Sequence, residues 1–359
     1  MELPNHGANP LRLYKQAGIS PPKQILDFSE NVHPFGAPAF LADRWPDLLD
    51  LVGSYPDPDG EPFRTAAANF HAVVANQVAA GNGAAEIFTW LARRYRGQQV
   101  VLIEPAFSEY RQTLEAENVH IKALQLVPEN GWQLTVQDVR NIIPGCAALY
   151  ICNPHNPTGM LLNTKTLQEI AQICQEHDCE LVIDEAFIDF IGEKASFMPF
   201  LREFPNVLIV RSMTKMYAIP GLRLGYVVSQ AETIEQLKQG AAHWNVNALS
   251  AAIGADCLKA EAYREKVINA ASEERRKMQQ FLAADNCRTS DSAANFLSFQ
   301  LPDPSRSAKF FTDLLKAGIV LRHTESFRGM DGQWFRIGMK SPENMKKLRE
   351  AIKEWLEAN

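Results

Sequence analysis

The chain has 359 residues, of which 46% are hydrophobic, and its formal net charge at pH 7 is −6. This length and composition allow a large buried core and predict two domains, while the negative charge and the lack of a basic tract argue against nucleic acid as a partner. No run approaches the roughly 18 apolar residues of a membrane span, and the N-terminus has no signal-peptide pattern, so we expect a cytoplasmic protein without a membrane partner.

The predicted elements divide the chain into three parts, of which the first two cover residues 1–45 and 46–250. The first part has mixed Pro and Gly content and no clear period, which indicates an N-terminal arm that packs on a smaller domain and reaches the site. In the second part, apolar runs alternate with helical patterns, which predicts a large α/β domain with a mainly parallel sheet covered by helices on both faces. Its predicted strands are Gln99 to Ile103, Ala147 to Ile151, Glu180 to Asp184, Val207 to Arg211 and Leu224 to Ser229, and its predicted helices are Ala84 to Tyr95, Phe107 to Glu117, Thr164 to His177 and Glu232 to Gln239.

Residues 251–359 are predicted to form a smaller C-terminal α+β domain. A long stretch rich in Ala, Glu, Lys and Arg from Asn247 to Leu282 predicts one extended helix that links the two domains. Beyond it we predict short strands at Asn295 to Gln300, Ile319 to Arg322 and Trp334 to Gly338, and helices at Ser307 to Lys316 and Pro342 to Leu356.

A lysine lies on a hydroxyl-bearing turn directly after the fourth predicted strand. The turn is S-M-T-K at residues 212–215, and Arg223 follows the lysine by eight positions (223 − 215 = 8). A lysine amine whose pKa is lowered by burial can form a Schiff base with an aldehyde. The Ser212 hydroxyl and the Arg223 guanidinium could hold a phosphate beside it. The segment therefore predicts an anchor for pyridoxal 5'-phosphate, although alone it is equally consistent with an ordinary basic turn.

Three further motifs bring polar groups toward the same crevice. Asp184 ends an apolar strand, where its carboxylate could keep a pyridine nitrogen protonated or could cap a helix. Asn156 lies in the loop N-P-H-N-P-T-G at residues 153–159, whose prolines fix the backbone so that the amide could bond a ring oxygen. Ala84 and Ala85 open a predicted helix whose free amides suit a phosphate. Each motif is weak alone, and together with the lysine they predict one cofactor site.

The order of these motifs resembles a known family. Nearly the whole chain is similar to the fold-type-I pyridoxal-phosphate enzymes of the class I/II aminotransferase superfamily, in the branch of histidinol-phosphate aminotransferase, through G-N-G-A-A-E (81–86), N-P-H-N-P-T-G (153–159), D-E-A-F (184–187), S-M-T-K (212–215) and R-L-G-Y (223–226). Within that branch it resembles the L-threonine O-3-phosphate decarboxylases of cobalamin biosynthesis, through H-G-A-N (6–9), L-D-F-S-E-N (26–31), D-E-A-F-I-D-F (184–190) and W-N-V-N-A-L (244–249). The resemblance implies pyridoxal 5'-phosphate as the cofactor. The six cysteines have no C-x-x-C spacing, and no metal site is predicted.

The resemblance implies a role in cofactor binding for each matching position. Lys215 would hold the cofactor covalently and Asp184 would face its pyridine nitrogen, which makes these two the expected catalytic residues. The other implied cofactor contacts are Asn156 at the ring oxygen, Tyr110 stacked on the ring, and Ser212, Arg223, Ala84 and Ala85 at the phosphate. Tyr55 would reach the phosphate of the neighbouring subunit's cofactor, which implies a homodimer.

The resemblance also implies a site for a small phosphorylated amino acid. Arg322 and Arg336 lie in short apolar runs, where surface salt bridges are uncommon. The implied substrate-binding residues are His6, Gly7, Asn31, Asn156, Arg322 and Arg336. The implied reaction is decarboxylation of L-threonine O-3-phosphate to (R)-1-aminopropan-2-yl phosphate in cobalamin biosynthesis. Phe187, where many relatives carry tyrosine, favours decarboxylation, although an aromatic ring of similar shape could simply pack there.

Two alternatives stay open at this point. A histidinol-phosphate-type aminotransferase would share the fold, the cofactor and the phosphate site. The two reactions differ in which bond of the substrate stands perpendicular to the cofactor ring, an angle that the sequence does not reveal. Nor does the sequence reveal whether Arg336 binds the carboxylate or the phosphate. A ligand-binding regulator with an aminotransferase-like domain is disfavoured, because such proteins carry a DNA-binding segment that is not evident in this sequence.

Overall fold

A computed structural model describes residues 3–4 and 6–359 of the chain. Its helices are α1 Pro10–Ala17, α2 Phe40–Leu49, α3 Phe63–His71, α4 Ala84–Arg94, α5 Ser108–Ala116, α6 Val136–Ile142, α7 Thr164–Glu176, α8 Ala231–Lys238, α9 Ala248–Cys257, α10 Glu261–Ala284, α11 Ser307–Lys316 and α12 Pro342–Ala358. Its strands are β1 Leu26–Asp27, β2 Val78–Asn82, β3 Gln99–Glu104, β4 His120–Gln125, β5 Ala148–Cys152, β6 Glu180–Asp184, β7 Val207–Ser212, β8 Leu224–Val228, β9 Arg288–Thr289, β10 Phe296–Gln300, β11 Ile319–Val320, β12 Arg322–His323 and β13 Trp334–Gly338.

A seven-stranded sheet forms the centre of the larger part of the molecule. Its strand order is β2-β8-β7-β6-β5-β3-β4, and only β8 runs antiparallel to its neighbours. Every residue of β5, β7 and β8 is buried. Such fully buried strands are typical of a parallel sheet that is covered on both faces. The predicted α/β fold with a mainly parallel sheet is therefore confirmed.

The carboxyl ends of the central strands bring three polar positions side by side. Cys152 at the end of β5 pairs in register with Asp184 at the end of β6. Asp184 in turn pairs with Val210, two residues before the end of β7 at Ser212. Ligands bind outside the carboxyl ends of the strands in open α/β sheets. The sheet therefore presents Asp184 and Ser212 to one crevice.

A second, smaller module contains an antiparallel sheet with the strand order β12-β13-β10-β9. Helices α11 and α12 pack against it around a core of Phe310, Phe335 and Leu348. The N-terminal arm joins the same core through Tyr14, whose hydroxyl donates to the Leu315 carbonyl at 2.6 Å, and through the pairing of β1 with β11. Tyr14 and β1 thus contact the small module, whereas Phe40 and Leu41, later in the arm, pack against the large core. The division of the chain at residues 45 and 250 stays a prediction.

The single extended helix predicted from Asn247 to Leu282 is wrong, because the segment forms α9 and α10. At the junction the amides of Lys259 and Ala260 bond to carbonyls only three residues back, which ends the α-helical ladder of α9. The second helix, α10, does link the two parts of the molecule. Its Val267 lies in the large core and its Met278 in the small one.

Two other differences concern short elements. The segment Ile319 to Arg322 is not one strand, because β11 pairs with β1 whereas β12 pairs with β13 in another sheet. The arm, predicted without a clear period, contains α1 and α2. Helix α1 has recognisable end signals, since Asn9 caps the Arg12 amide at 3.2 Å and Gly18 ends the helix with a φ of 65°. Within the described residues, no helix combines the length and the apolar character that crossing a membrane requires.

Candidate active site

A cavity of about 310 Å³ lies between the carboxyl edge of the large sheet, the arm and the small module. The large sheet and its loops contribute Ala84, Ala85, Asn156, Asp184, Ser212, Lys215 and Arg223 to its wall. The arm contributes His6, Gly7 and Asn31, and the small module contributes Arg322 and Arg336. The structure thus brings together all the predicted site residues except Tyr55 and Tyr110.

One end of the cavity is a pocket of backbone amides and polar side chains at the start of α4. The amides of Ala84 and Ala85 open this helix directly after Gly83, which has a φ of 78°. A Cβ atom on Gly83 would clash with the guanidinium of Arg223, so glycine lets the arginine lie against the helix start. Helix N-termini with free amides bind phosphate groups. This end of the cavity is therefore suited to the cofactor phosphate.

Lys215 lies next to this anion pocket, on the turn after β7, and its pKa is lowered to about 8. Burial is the largest cause, and the nearby positive charges of Arg223 and Arg336 add to it. A lowered pKa leaves more of the amine neutral near physiological pH, and only the neutral amine attacks a carbonyl. The environment of Lys215 therefore suits covalent capture of an aldehyde.

Asp184 presents a carboxylate whose two oxygens are both held by the protein. The Ala186 amide donates to Oδ1 at 2.9 Å, and the Tyr110 hydroxyl donates to Oδ2. Burial raises the pKa of Asp184, while these two hydrogen bonds and the charge of Lys215 oppose the rise. The carboxylate is thus fixed in direction at the wall of the cavity, as the predicted contact with a pyridine nitrogen requires.

The structure does not place Tyr110 where the sequence predicted it. Its hydroxyl is bonded to Asp184, and its ring lies behind the cavity wall in contact with Phe88 and Phe107, at centroid distances of 4.7 and 5.7 Å. Phe107 lines the cavity instead, although the sequence pattern does not single it out. The two aromatic residues lie three positions apart at the start of α5, and the sequence alone does not show which of them faces the ligand.

Residues 6–8 of the arm line the cavity. The His6 ring contacts Phe107 at a centroid distance of 5.8 Å, and its Nε2 lies 3.8 Å from the Glu109 carboxylate. Partial burial is the main reason why the pKa of His6 is lowered. Gly7 packs so closely on Ser29 that a Cβ atom would clash with the Ser29 carbonyl, which explains the glycine.

Two arginines of the small module, Arg322 and Arg336, line the cavity, and both are buried. Arg336 donates to Asn156 Oδ1 at 2.6 Å and to the Ser29 carbonyl at 3.0 Å, and its Nε has no hydrogen-bond partner among the described residues. Arg322 donates to Ser326 Oγ at 2.5 Å. Burial lowers the pKa of Arg336 to about 9, with a contribution from Arg322, and lowers that of Arg322 to about 10. Two buried cations in one wall favour an anionic ligand.

Two asparagine side chains, Asn156 and Asn31, also line the cavity. A guanidinium only donates hydrogen bonds, so the Asn156 oxygen must face Arg336, which leaves the Asn156 Nδ2 free to donate. Asn31 is buried, and its Oδ1 lacks a hydrogen-bond partner within residues 3–4 and 6–359. An amide donor for a ring oxygen and a free acceptor for a bound ligand are thus available.

These groups fit pyridoxal 5'-phosphate. The anion pocket at α4, the amine of Lys215, the carboxylate of Asp184 and the free amide of Asn156 correspond to the phosphate, aldehyde, ring nitrogen and ring oxygen of that molecule. Phe107 and Ala186 line the same cavity and supply apolar surface for the ring. Phe187 also lines it and packs edge to face on Phe296, with ring centroids 4.8 Å apart, so it offers no hydroxyl to the ring oxygen.

The lowered pKa of Lys215 predicts how the apoprotein captures pyridoxal 5'-phosphate at different pH values. The capture rate should rise about tenfold per pH unit at low pH and level off above a pH of about 8, because the neutral amine reacts. Stopped-flow absorbance of the cofactor measures this rate, and Lys215→Arg serves as the control without covalent capture. A rate that still rises steeply to about pH 10, as for an exposed lysine, would contradict this reading of the site.

Known proteins resemble this chain in both sequence and structure. The family model for aminotransferase class I and II matches residues 23–352. The chain is 33% identical over 353 residues to a threonine-phosphate decarboxylase of Salmonella typhimurium, covering 98% of this chain and 96% of that protein. It is 25% identical to a histidinol-phosphate aminotransferase of Methanococcus aeolicus, covering 93% of this chain and 90% of that protein.

Among solved structures, the histidinol-phosphate aminotransferase of Clostridium acetobutylicum matches with a TM-score of 0.88 and 26% identity. The match covers 93% of this chain and all of that one (100%). The fold is therefore the fold-type-I arrangement that the sequence predicted, and the chain belongs to the class I and II aminotransferase family, with pyridoxal 5'-phosphate as its cofactor.

Proposed function

We propose that the protein decarboxylates L-threonine O-3-phosphate to (R)-1-aminopropan-2-yl phosphate in cobalamin biosynthesis. The observation that carries the proposal is the pair of buried arginines, Arg322 and Arg336, which line the same cavity as Lys215 and the α4 amides. A substrate phosphate carries up to two negative charges and three acceptor oxygens, which match two guanidinium groups. The 33% identity to a threonine-phosphate decarboxylase supports the same assignment.

The position of the substrate phosphate decides which bond of the α-carbon breaks. When bound, the cofactor withdraws electrons from whichever bond of that carbon stands perpendicular to its ring. With the phosphate held by Arg322 and Arg336, neither of these guanidiniums is left to hold the carboxylate in the ring plane. The carboxylate can then stand perpendicular to the ring and leave as carbon dioxide, and the α-carbon takes up a proton. The Nζ of Lys215 can hold that proton, since its pKa is about 8.

The residues around the cofactor ring are assigned in the same proposal. Asn156 donates through its free Nδ2 to the ring oxygen, and Asp184 faces the ring nitrogen. Phe107 replaces the predicted Tyr110 as the aromatic side chain on the ring face, because it lines the cavity. Ser212, Arg223, Ala84 and Ala85 hold the cofactor phosphate, and His6, Gly7 and Asn31 close over the substrate.

A histidinol-phosphate-type aminotransferase is the second candidate. Several relatives at 24 to 27% identity carry that name, and they align with 93 to 98% of this chain. Such an enzyme would also need a phosphate site, so the buried arginines do not exclude it. The two candidates differ in whether the substrate carboxylate leaves or stays.

The reaction itself separates these candidates. With O-phospho-L-threonine as substrate, we expect carbon dioxide to be released at each turnover, and amino transfer to 2-oxoglutarate to be slower by on the order of a hundredfold or more. Parallel assays of carbon dioxide and of glutamate measure the two outcomes. L-Threonine, which lacks the phosphate, and the Lys215→Ala variant are the controls. Amino transfer without release of carbon dioxide would make the aminotransferase the correct assignment.

We further propose that the protein acts in the cytoplasm as a homodimer in which the subunits share their sites. Tyr55 is 83% exposed and does not line the cavity of its own chain. Its ring packs on Trp244 at a centroid distance of 4.9 Å, and Trp45 and Leu49 nearby in the sequence are also more than half exposed. Large exposed apolar side chains of this kind indicate an interaction surface. A second copy of the chain would cover it and receive Tyr55 at its cofactor phosphate.

A mixture of two defective variants tests this shared site. Tyr55→Ala and Lys215→Ala subunits should each have low activity alone. In a mixed dimer, the subunit that keeps Lys215 receives an intact Tyr55 from its partner, so equal co-expression should restore about a quarter of the wild-type activity. Activity of the purified mixture is compared with the average of the two separate variants. Agreement with that average would show that Tyr55 does not serve a neighbouring subunit.

A further inference from the structure

We propose that Tyr110 is a positioning residue that fixes the carboxylate of Asp184 and keeps it negatively charged against the ring nitrogen of the cofactor. The inference rests on the proposed role of Asp184 at that nitrogen. It gives Tyr110 a function different from the ring stacking that the sequence predicted. Tyr110 would act through Asp184 and would not touch the cofactor.

Two hydrogen bonds fix the orientation of the Asp184 carboxylate. Tyr110 donates to Oδ2 from one side and the Ala186 amide donates to Oδ1 at 2.9 Å from the chain itself. Each carboxylate oxygen retains a further acceptor site. The neighbouring thiol of Cys152 donates to the Pro154 carbonyl at 3.1 Å and also lies within hydrogen-bond reach of the Tyr110 hydroxyl. The side chain cannot rotate without breaking one of its two bonds.

The tyrosine is itself held in place by the packing of α4 and α5. Its ring is 3% exposed and contacts Phe88, Phe107 and Tyr150, with centroid distances of 4.7, 5.7 and 5.9 Å. Phe88 and Phe107 also line the cavity. The aromatic cluster that shapes the wall of the cavity therefore also sets the position of the phenol behind Asp184.

The charge of Asp184 depends on this donor. Burial of the carboxylate favours its neutral form, and the groups that oppose this are Tyr110, the Ala186 amide and Lys215. A neutral carboxyl cannot stabilise a positive charge on the ring nitrogen. A hydrogen bond to a charged group changes the protonation equilibrium constant of that group by about tenfold to a hundredfold. Removing the phenolic hydroxyl should shift the proton equilibrium of the Asp184 site by that factor.

The test follows the ring nitrogen directly in the holoenzyme without substrate. Cofactor labelled with ¹⁵N in the ring is bound to the wild type and to Tyr110→Phe, and its NMR chemical shift is recorded against pH. We expect the wild-type nitrogen to be protonated near neutral pH. In Tyr110→Phe the shared proton should move from the nitrogen to the Asp184 carboxyl, so the ratio of protonated to unprotonated nitrogen near neutral pH should fall by about tenfold to a hundredfold. kcat should fall by about tenfold to a hundredfold while KM changes much less.

Three further proteins make the result decisive. Tyr150→Phe removes a hydroxyl from the same aromatic cluster, one without a hydrogen-bond partner in the described part of the chain, and should leave the ¹⁵N titration unchanged. Replacement of Tyr110 by 3-fluorotyrosine keeps the ring but makes the hydroxyl a stronger hydrogen-bond donor. It should shift the protonation of the ring nitrogen in the opposite direction to Tyr110→Phe. Asp184→Asn should give a nitrogen without its proton near neutral pH.

Each outcome bears on one claim. Suppose that Asp184→Asn changes the ¹⁵N chemical shift, but that Tyr110→Phe and the 3-fluorotyrosine protein both match the wild type. The proposed role of Tyr110 is then overturned, while the assignment of the cofactor site stands. If Asp184→Asn also matches the wild type, the assignment of Asp184 itself fails. Should Tyr110→Phe not retain the cofactor, the 3-fluorotyrosine protein carries the test alone, and an unchanged titration there overturns the inference.

Discussion

The hydrogen bond between Arg336 and Asn156 joins the two parts of the molecule across the cavity, and the arrangement of the site depends on it. It links β13 of the small module to the loop after β5 of the large sheet over 2.6 Å, and both side chains are buried. A bond from a charged donor in such surroundings is strong and directional. It fixes the directions of the Asn156 amide and of the Arg336 guanidinium, which are the groups that we propose contact the cofactor and the substrate.

A second constraint is the local charge. The whole chain carries a formal charge of −6, yet Lys215, Arg223, Arg322 and Arg336 all face one cavity. Of these, Arg336 has no carboxylate among its hydrogen-bond partners in the described ranges, and burying such a cation is unfavourable until an anion arrives. In the proposed reaction, the phosphates of the cofactor and of the substrate would neutralise these cations, and the Asp184 carboxylate would face the cofactor ring.

Much of the site follows from the sequence because its groups lie at the ends of strongly apolar strands. Asp184, Ser212 and Lys215 could be placed in one crevice from the strand pattern alone, since parallel strands end at a common edge. The positions of Phe107 and Tyr110 could not, because they depend on how the first turn of α5 packs. The break between α9 and α10 is not predictable either, since no glycine or proline marks residues 258–260. In the arm, the signals at Asn9 and Gly18 were present but the helix is too short to show a clear period.

The central claim, that Arg336 binds the substrate phosphate and not its carboxylate, is tested most directly by binding two fragments of the substrate. (R)-1-Aminopropan-2-yl phosphate keeps the phosphate without the carboxylate, and L-threonine keeps the carboxylate without the phosphate. Isothermal titration of the holoenzyme should show that Arg336→Ala weakens binding of the amino phosphate by on the order of a hundredfold and leaves that of threonine nearly unchanged. Arg288→Ala, at an arginine outside the cavity that packs on Trp334, should change neither affinity. Loss of threonine binding with full retention of the amino phosphate in Arg336→Ala would contradict the account and place the carboxylate on this arginine.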